Sequence, residues 1–266
     1  MELTTLLGIA AGVISVGGAM YFKHLSPVIF WNPAALFVIF VGTVACVLNA
    51  FPGKSLKNIG KLFGVLFSSG SDSANSKIEI IKSIEEFATV ARKEGILALE
   101  SRVESLTNEF MKKALRLVID GSPPEYIIDA LSLEMEQIEE RHGVNAGIFS
   151  QAGTYAPTLG VLGAVFGLIA AMENIDNTEE MAIAIAAAFM ATILGIFTGY
   201  VLWNPFANKL RVKSKHEMVE KRMMIEGIIS IQKGESPGMI KDKLTSFLSS
   251  EERALLPSDG GAAAAA

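Results

Sequence analysis

The sequence predicts an all-α membrane protein, with four transmembrane helices, a helical cytoplasmic domain between spans two and three, and a cytoplasmic C-terminal helix. Three observations predict it. Half of the 266 residues are hydrophobic and only 19% are charged, with a mean hydropathy of +0.40, whereas soluble chains carry about 25% charged residues. Four charge-free stretches are each long enough to cross a hydrocarbon core, which takes about 20 apolar residues. The basic residues cluster on one side of those stretches.

The first stretch, Leu3 to Phe22, lies between Glu2 and Lys23. It has no basic n-region and no A-x-A-like site, so it reads as a retained span and not a signal peptide. The second runs from Leu25 to Gly53 and contains Ser26, Pro27, Asn32 and Pro33. These residues break helix, so its membrane part is expected from Ile29 or Ala34 through Ala50. The third is Gly143 to Met172 and the fourth Met181 to Asn208. Thr178, followed by Glu179 and Glu180, is expected to cap the fourth.

Of the 23 Lys and Arg residues, 12 lie between Lys54 and Arg141, 10 between Lys209 and Arg253, and one is Lys23. Positive charge marks the cytoplasmic side, so both segments and both termini are expected there. The loop Glu173 to Glu180, with four acidic residues and no basic one, is then outside. The resulting divisions are 1–53 (spans one and two), 54–142 (cytoplasmic helical domain), 143–208 (spans three and four), 209–257 (cytoplasmic C-terminal helical segment) and 258–266 (disordered tail or cloning remnant).

Within 54–142, Ile80, Ile84, Phe87 and Ala91, then Ile128, Leu131, Met135 and Ile138, recur at helical spacing. Ser68 to Ser76 reads as a loop, Gly95 as a break, and Gly121 to Pro124 as the end of one helix and the start of another. Beyond Lys209 the fourth span is expected to continue as an amphipathic helix to Leu248, with Met218, Met223, Met224, Ile228 and Ile231 packing inward.

Several functions are disfavoured. The net charge of -5 removes the simplest argument for nucleic-acid binding. Cys46 is the single cysteine and sits in an apolar run, so it packs as a small hydrophobe. No H-E-x-x-H, P-loop, G-x-S-x-G or Rossmann pattern occurs around His24, His142 and His216 or elsewhere. The chain reads as a non-enzyme with no cofactor and no metal site.

Spans three and four contain no Asp, Glu, Lys, Arg or His, although ion pathways in membranes are ordinarily built around such groups. They carry small residues in four-residue steps instead: Ala152, Ala156, Gly160 and Ala164, a second stripe of Gly163, Gly167 and Ala171, and Ala187, Ala191, Gly195 and Gly199 in span four. Such ladders let helix backbones approach closely. Two stripes on span three suggest a second contact, with another subunit. Pro157 and Pro205 each remove a helix hydrogen bond and favour a kink.

Five segments together resemble one known family, the MotA/PomA subunit of the flagellar motor stator. They are Ala91–Glu100 (ARKEGILALE), Tyr155–Gly160 (YAPTLG), Ala191–Ile196 (ATILGI), Leu202–Pro205 (LWNP) and Glu226–Pro237 (EGIISIQKGESP). The resemblance covers nearly the whole chain. It implies a ring of five subunits around a dimer of a MotB-like, single-span, peptidoglycan-anchored subunit whose aspartate carries the ion, and a ring that turns the rotor protein FliG. By the same resemblance Arg92 and Glu100 are the rotor-contacting charges, Pro157 and Pro205 the torque-linked prolines, and Thr192, Ala164 and Tyr200 line the ion path. Sodium-using relatives resemble one another in carrying threonine where this chain has Ala164. A hard cation needs oxygen ligands in place of its water, so protons are expected. The alternatives are a sodium-driven stator and an ExbB/TolQ-type energising subunit, whose relatives have three spans.

Overall fold

The computed structural model describes residues 3–26, 31–68 and 74–256. In chain order the helices are α1 (Leu3–Phe22), α2 (Pro33–Ala50), α3 (Gly53–Leu56), α4 (Ile59–Phe67), α5 (Ala74–Glu94), α6 (Glu100–Glu104), α7 (Glu109–Ile119), α8 (Pro124–Glu173), α9 (Thr178–Gln232), α10 (Pro237–Thr245) and α11 (Ser250–Arg253), with a 3-10 turn at Ile96–Leu99. No strand occurs among the described residues. Two helices contain π-helical turns, α2 at Phe37–Val41 and α9 at Thr198–Trp203.

The residues group into two compact units: Met1–Ser69 with Arg141–Val212, and Gly70–Glu140 with Lys213–Ala266. The first unit holds all four charge-free stretches, and α1, α2, α8 and α9 are each long and apolar enough to cross a membrane. Its apolar side chains point outward as well as inward; Ile14, Val44, Phe166 and Phe189 are all exposed. Lipid is the solvent that makes such a surface stable, since helices satisfy their backbone internally. Inside, Leu62 and Leu66 of α4 pack with Ala146, Phe149, Phe206, Ala207 and Leu210. Phe63 meets Phe149 edge to face, ring centroids 5.4 Å apart.

α2 begins at Pro33, where the fixed φ of proline suits a first helical position. Asn32 caps it, its side-chain oxygen accepting the Ala35 N–H at 3.1 Å. Its amide nitrogen donates to the Ala187 carbonyl of α9 at 3.2 Å, so one side chain also ties α2 to the fourth span. Ile29, one of the two expected starts, lies outside the described residues. The fourth span is capped by Asn177 rather than Thr178, the Asn177 side chain accepting from Glu180 N. Both residues are good caps, and the turn at Asn174–Asn177 places Asn177 there.

The second unit is a conventional core. Ile81 and Ile84 of α5, Leu99, Leu115 and Val118, Ile127 and Leu131, and Met223, Ile228 and Leu244 are buried together. Gly227 is required where α9 crosses α5, because a Cβ there would sit 2.6 Å from Ile84 Cδ1. The expected stripe on the second long helix is shifted at one position: Ile127 is fully buried and Ile128 is exposed. Adjacent isoleucines cannot share a helical face, and sequence alone does not choose between them. Gly95 and Gly121 end their helices at φ +88° and +73°, in the left-handed region. Ala74 to Ser76 belong to α5, and residues 69–73 of the expected loop lie outside the described residues. α9 stops at Gln232, before Gly234 (φ +75°), and α10 restarts from Ser236; the amphipathic helix therefore does not run unbroken to Leu248.

Candidate functional site

The seam between the third and fourth spans has almost no side chains in it. A Cβ built on Gly160 would lie 2.9 Å from the Ala191 carbonyl oxygen and 2.9 Å from Gly195 Cα. One on Gly195 would lie 2.7 Å from the Ala156 carbonyl oxygen. Further along, Gly167 faces Ala188 and Gly163 faces Ala191, with built-in Cβ distances of 2.8 and 3.1 Å. Glycines from both stripes of span three therefore face span four of the same chain, and the second stripe gives no separate argument for a contact with another subunit. The two stripes read as separate in sequence because α8 rotates about 100° per residue, so Gly160, Gly163 and Gly167 form one ridge. The Ala187 carbonyl takes the Asn32 amide.

Towards the basic end of the seam the contacts become polar. Pro157 lies inside α8, and a proline there withholds the N–H that would bond the Gly153 carbonyl. That carbonyl oxygen rests against Gly199: a Cβ on Gly199 would be 2.8 Å from it and 2.7 Å from Pro157 Cγ. The Asn204 side chain covers Gly153. The π-helical turn Thr198–Trp203 begins beside this contact and ends just before Pro205. Proline removes the bond to the carbonyl four residues back and crowds it, and a wider turn accommodates both. Buried Thr198 donates to the Leu194 and Gly195 carbonyls at 2.8 and 3.1 Å.

The expected ion-path residues take different positions. Thr192 is half-buried and donates weakly to the Ala188 carbonyl at 3.4 Å, Ala164 is half-buried, and Tyr200 is exposed on the surface of the unit. Pro205 is exposed as well. Pro157 and Gly199 are brought together, whereas Tyr200 and Pro205 face outward from that seam.

In the second unit Arg92 occupies the last turn of α5 and Glu100 the first position of α6, both exposed, with Gly95 and the 3-10 turn between them. Among the described residues neither forms an ion pair, unlike neighbouring Glu104, which pairs with Arg116 and Lys112. The Arg116 hydrogen bond and charge hold the Glu104 carboxyl below the usual range. Deeper in the unit, Glu220 is only 7% exposed and its Oε1 has no hydrogen-bond partner. Burial pushes its carboxyl up, and a hydrogen bond with Ser76 opposes this.

The MotA/TolQ/ExbB proton channel family model matches residues 102–224. Motility protein A of Bacillus subtilis (strain 168) is 46% identical over 262 residues, covering 98% of this chain and 96% of the relative. The chain belongs to the motility protein A family. The flagellar MotAB stator complex from Bacillus subtilis contains a chain with 47% identity and a TM-score of 0.87, with 94% of this chain and 98% of that chain covered. The C. jejuni MotAB structure gives 33% identity and a TM-score of 0.89, over 94% and 97%.

For a motility protein A chain, the seam residues that sequence reasoning missed are Gly153 and Asn204. Gly153 lies one position off the four-residue ladder, and Asn204 enters the sequence reading only within the Leu202–Pro205 segment. Their signal is the pairing of a glycine four residues before a proline with an amide just before the second proline, but only the structure shows that they touch.

Proposed function

We propose that this chain is the ring-forming subunit of a proton-driven flagellar stator, in the bacterial inner membrane with both termini cytoplasmic. The supporting observation is the pairing of a glycine-lined seam with spans three and four that carry no Asp, Glu, Lys, Arg or His. Such helices can enclose and slide against a partner, but they cannot relay an ion by themselves. The acid must come from a MotB-like single-span dimer inside a ring, five copies in the resemblance. Ala164 offers no oxygen where sodium-using relatives carry a hydroxyl, which favours protons. Thr192 and the Pro157–Gly199 contact lie on the spans that would face that partner. Arg92 and Glu100 are exposed and project from opposite sides of the Gly95 break, so they can meet charges on FliG. Exposed charge pairs register a partner yet release it readily.

The test is to express the chain with and without the neighbouring single-span subunit, count copies by native mass spectrometry and measure proton flux in vesicles. Flux only in the pair, with a ring of the long subunit around two short ones, is expected. Conductance by this chain alone would overturn the proposal.

A further inference from the structure

In the first unit, α1 and the Tyr200–Lys209 part of α9 touch at one level and part at the next. A Cβ on Gly12 would meet Val201 Cγ1 at 2.5 Å, whereas one on Gly8, a turn nearer the chain's start, would meet nothing within 4 Å. The divergence leaves a groove of about 450 Å³, lined among others by Thr4, Thr5, Ile9, Val201, Phe206 and Lys209. Its chemistry is graded along its length. The narrow end, at Ile9, Val201 and Phe206, is apolar. The wide end holds two hydroxyls and the Lys209 ammonium, which donates to Thr5 Oγ1. Thr4 and Thr5 also lie in the first turn of the 20-residue α1, where backbone N–H groups lack helical acceptors and the helix end is positive.

Lys209 is the first charged residue after the charge-free run Met181 to Asn208, so it sits where hydrocarbon gives way to headgroups. We propose that this groove binds one anionic phospholipid. An acyl chain lies along Ile9, Val201 and Phe206 over the space left by Gly8, and the phosphate meets Lys209, Thr4 and Thr5. A basic pocket between membrane helices at the cytoplasmic interface complements this charge, and an apolar slot ending in a cation matches a phospholipid along its length. The site does not depend on which ion the chain uses.

The full chain, with whatever partners co-purify, is reconstituted in nanodiscs of phosphatidylcholine containing phosphatidylglycerol, and retained lipid is counted by native mass spectrometry. Wild type is expected to retain phosphatidylglycerol preferentially. Lys209→Gln should lower that preference about fivefold, the factor one lysine near an anionic surface supplies. Gly8→Leu, which fills open space, should remove retained lipid of either kind. A photoactivatable phosphatidylglycerol on wild-type protein adds a readout that needs no variant, with labelled peptides expected within 4–12 and 200–209. Equal retention of both lipids by wild type and Lys209→Gln overturns the proposal. So does labelling spread evenly over the exposed apolar faces, or loss of oligomer with unchanged lipid in Gly8→Leu, which would make a second copy of the chain the occupant.

Discussion

Gly160 of α8 and Gly195 of α9 meet backbone to backbone, each standing where a methyl group on the other would lie within 3 Å of its Cα. Without a hydrophobic force between helices in lipid, such approach supplies van der Waals packing that larger residues would block. Gly160→Val should therefore destabilise the folded chain by about 1–3 kcal/mol through overpacking. Gly17→Val, at a position with nothing within 4 Å, should cost much less. Thermal unfolding in detergent compares them, and equal midpoints would refute the seam as a site of tight packing.

Charge reversal of Arg92 or Glu100 should reduce swimming several-fold while membrane level and oligomer mass stay unchanged. Both side chains are exposed and outside the ion pairs of their own unit, so nothing in the fold needs them. A double reversal that still swims like wild type would remove the rotor assignment.

Pro157→Ala restores an N–H facing the Gly153 carbonyl, which now rests against Gly199. The seam should tighten and lose freedom to change shape, lowering torque on tethered cells with little change in insertion or thermal midpoint. Loss of folded protein instead would assign Pro157 a purely structural role.

Glu220 gives a pH signature of definite sign. Burial raises its carboxyl in the folded chain, so the unfolded chain releases that proton first. Stability from this group is complete below the ordinary carboxylate range and declines as pH rises through the raised value. The groups facing it, Ser76 and Lys77 of α5 with Glu217 and Lys221 of α9, do not reverse that sign. Glu104, Glu235 and Glu252 are held low and lose their contribution on acidification, so the comparison must be between wild type and Glu220→Gln. The variant's advantage in midpoint should grow as pH rises from the ordinary carboxylate range upward, and a difference independent of pH would show that Glu220 is not titrating in this way.

Replacing Ala164 with threonine adds an oxygen on span three. Wild-type swimming speed should be indifferent to external sodium at fixed proton-motive force. Speed that tracks sodium in the wild type would reverse the choice of ion.

Much of the fold is legible because membrane spans are written in one-dimensional terms: an uninterrupted apolar run flanked by charge needs no knowledge of neighbours. The Met218, Met223, Met224, Ile228 and Ile231 stripe is read from spacing for the same reason, and all five are buried. What escapes depends on three-dimensional choices between near-equal neighbours, such as Ile127 over Ile128 and Asn177 over Thr178. The π-helical turns at Phe37–Val41 and Thr198–Trp203 have no composition of their own. Likewise α4 carries Lys61 yet packs Leu62 and Leu66 beside Phe149 and Phe206, a placement that charge counting does not reveal. The Pro157–Gly199 contact needed both helices in place, although each residue stands out in its own span.

The double duty of Asn32 has a chemical consequence over time. Its oxygen holds the α2 cap and its nitrogen holds the Ala187 carbonyl, so hydrolysis of that amide to a carboxylate would keep the first bond and forfeit the second. Asparagine usually ages when the next backbone nitrogen attacks its side chain to close a succinimide ring. Here the next residue is Pro33, whose nitrogen carries no hydrogen to surrender, and the clasp is thereby built where that route of decay is closed.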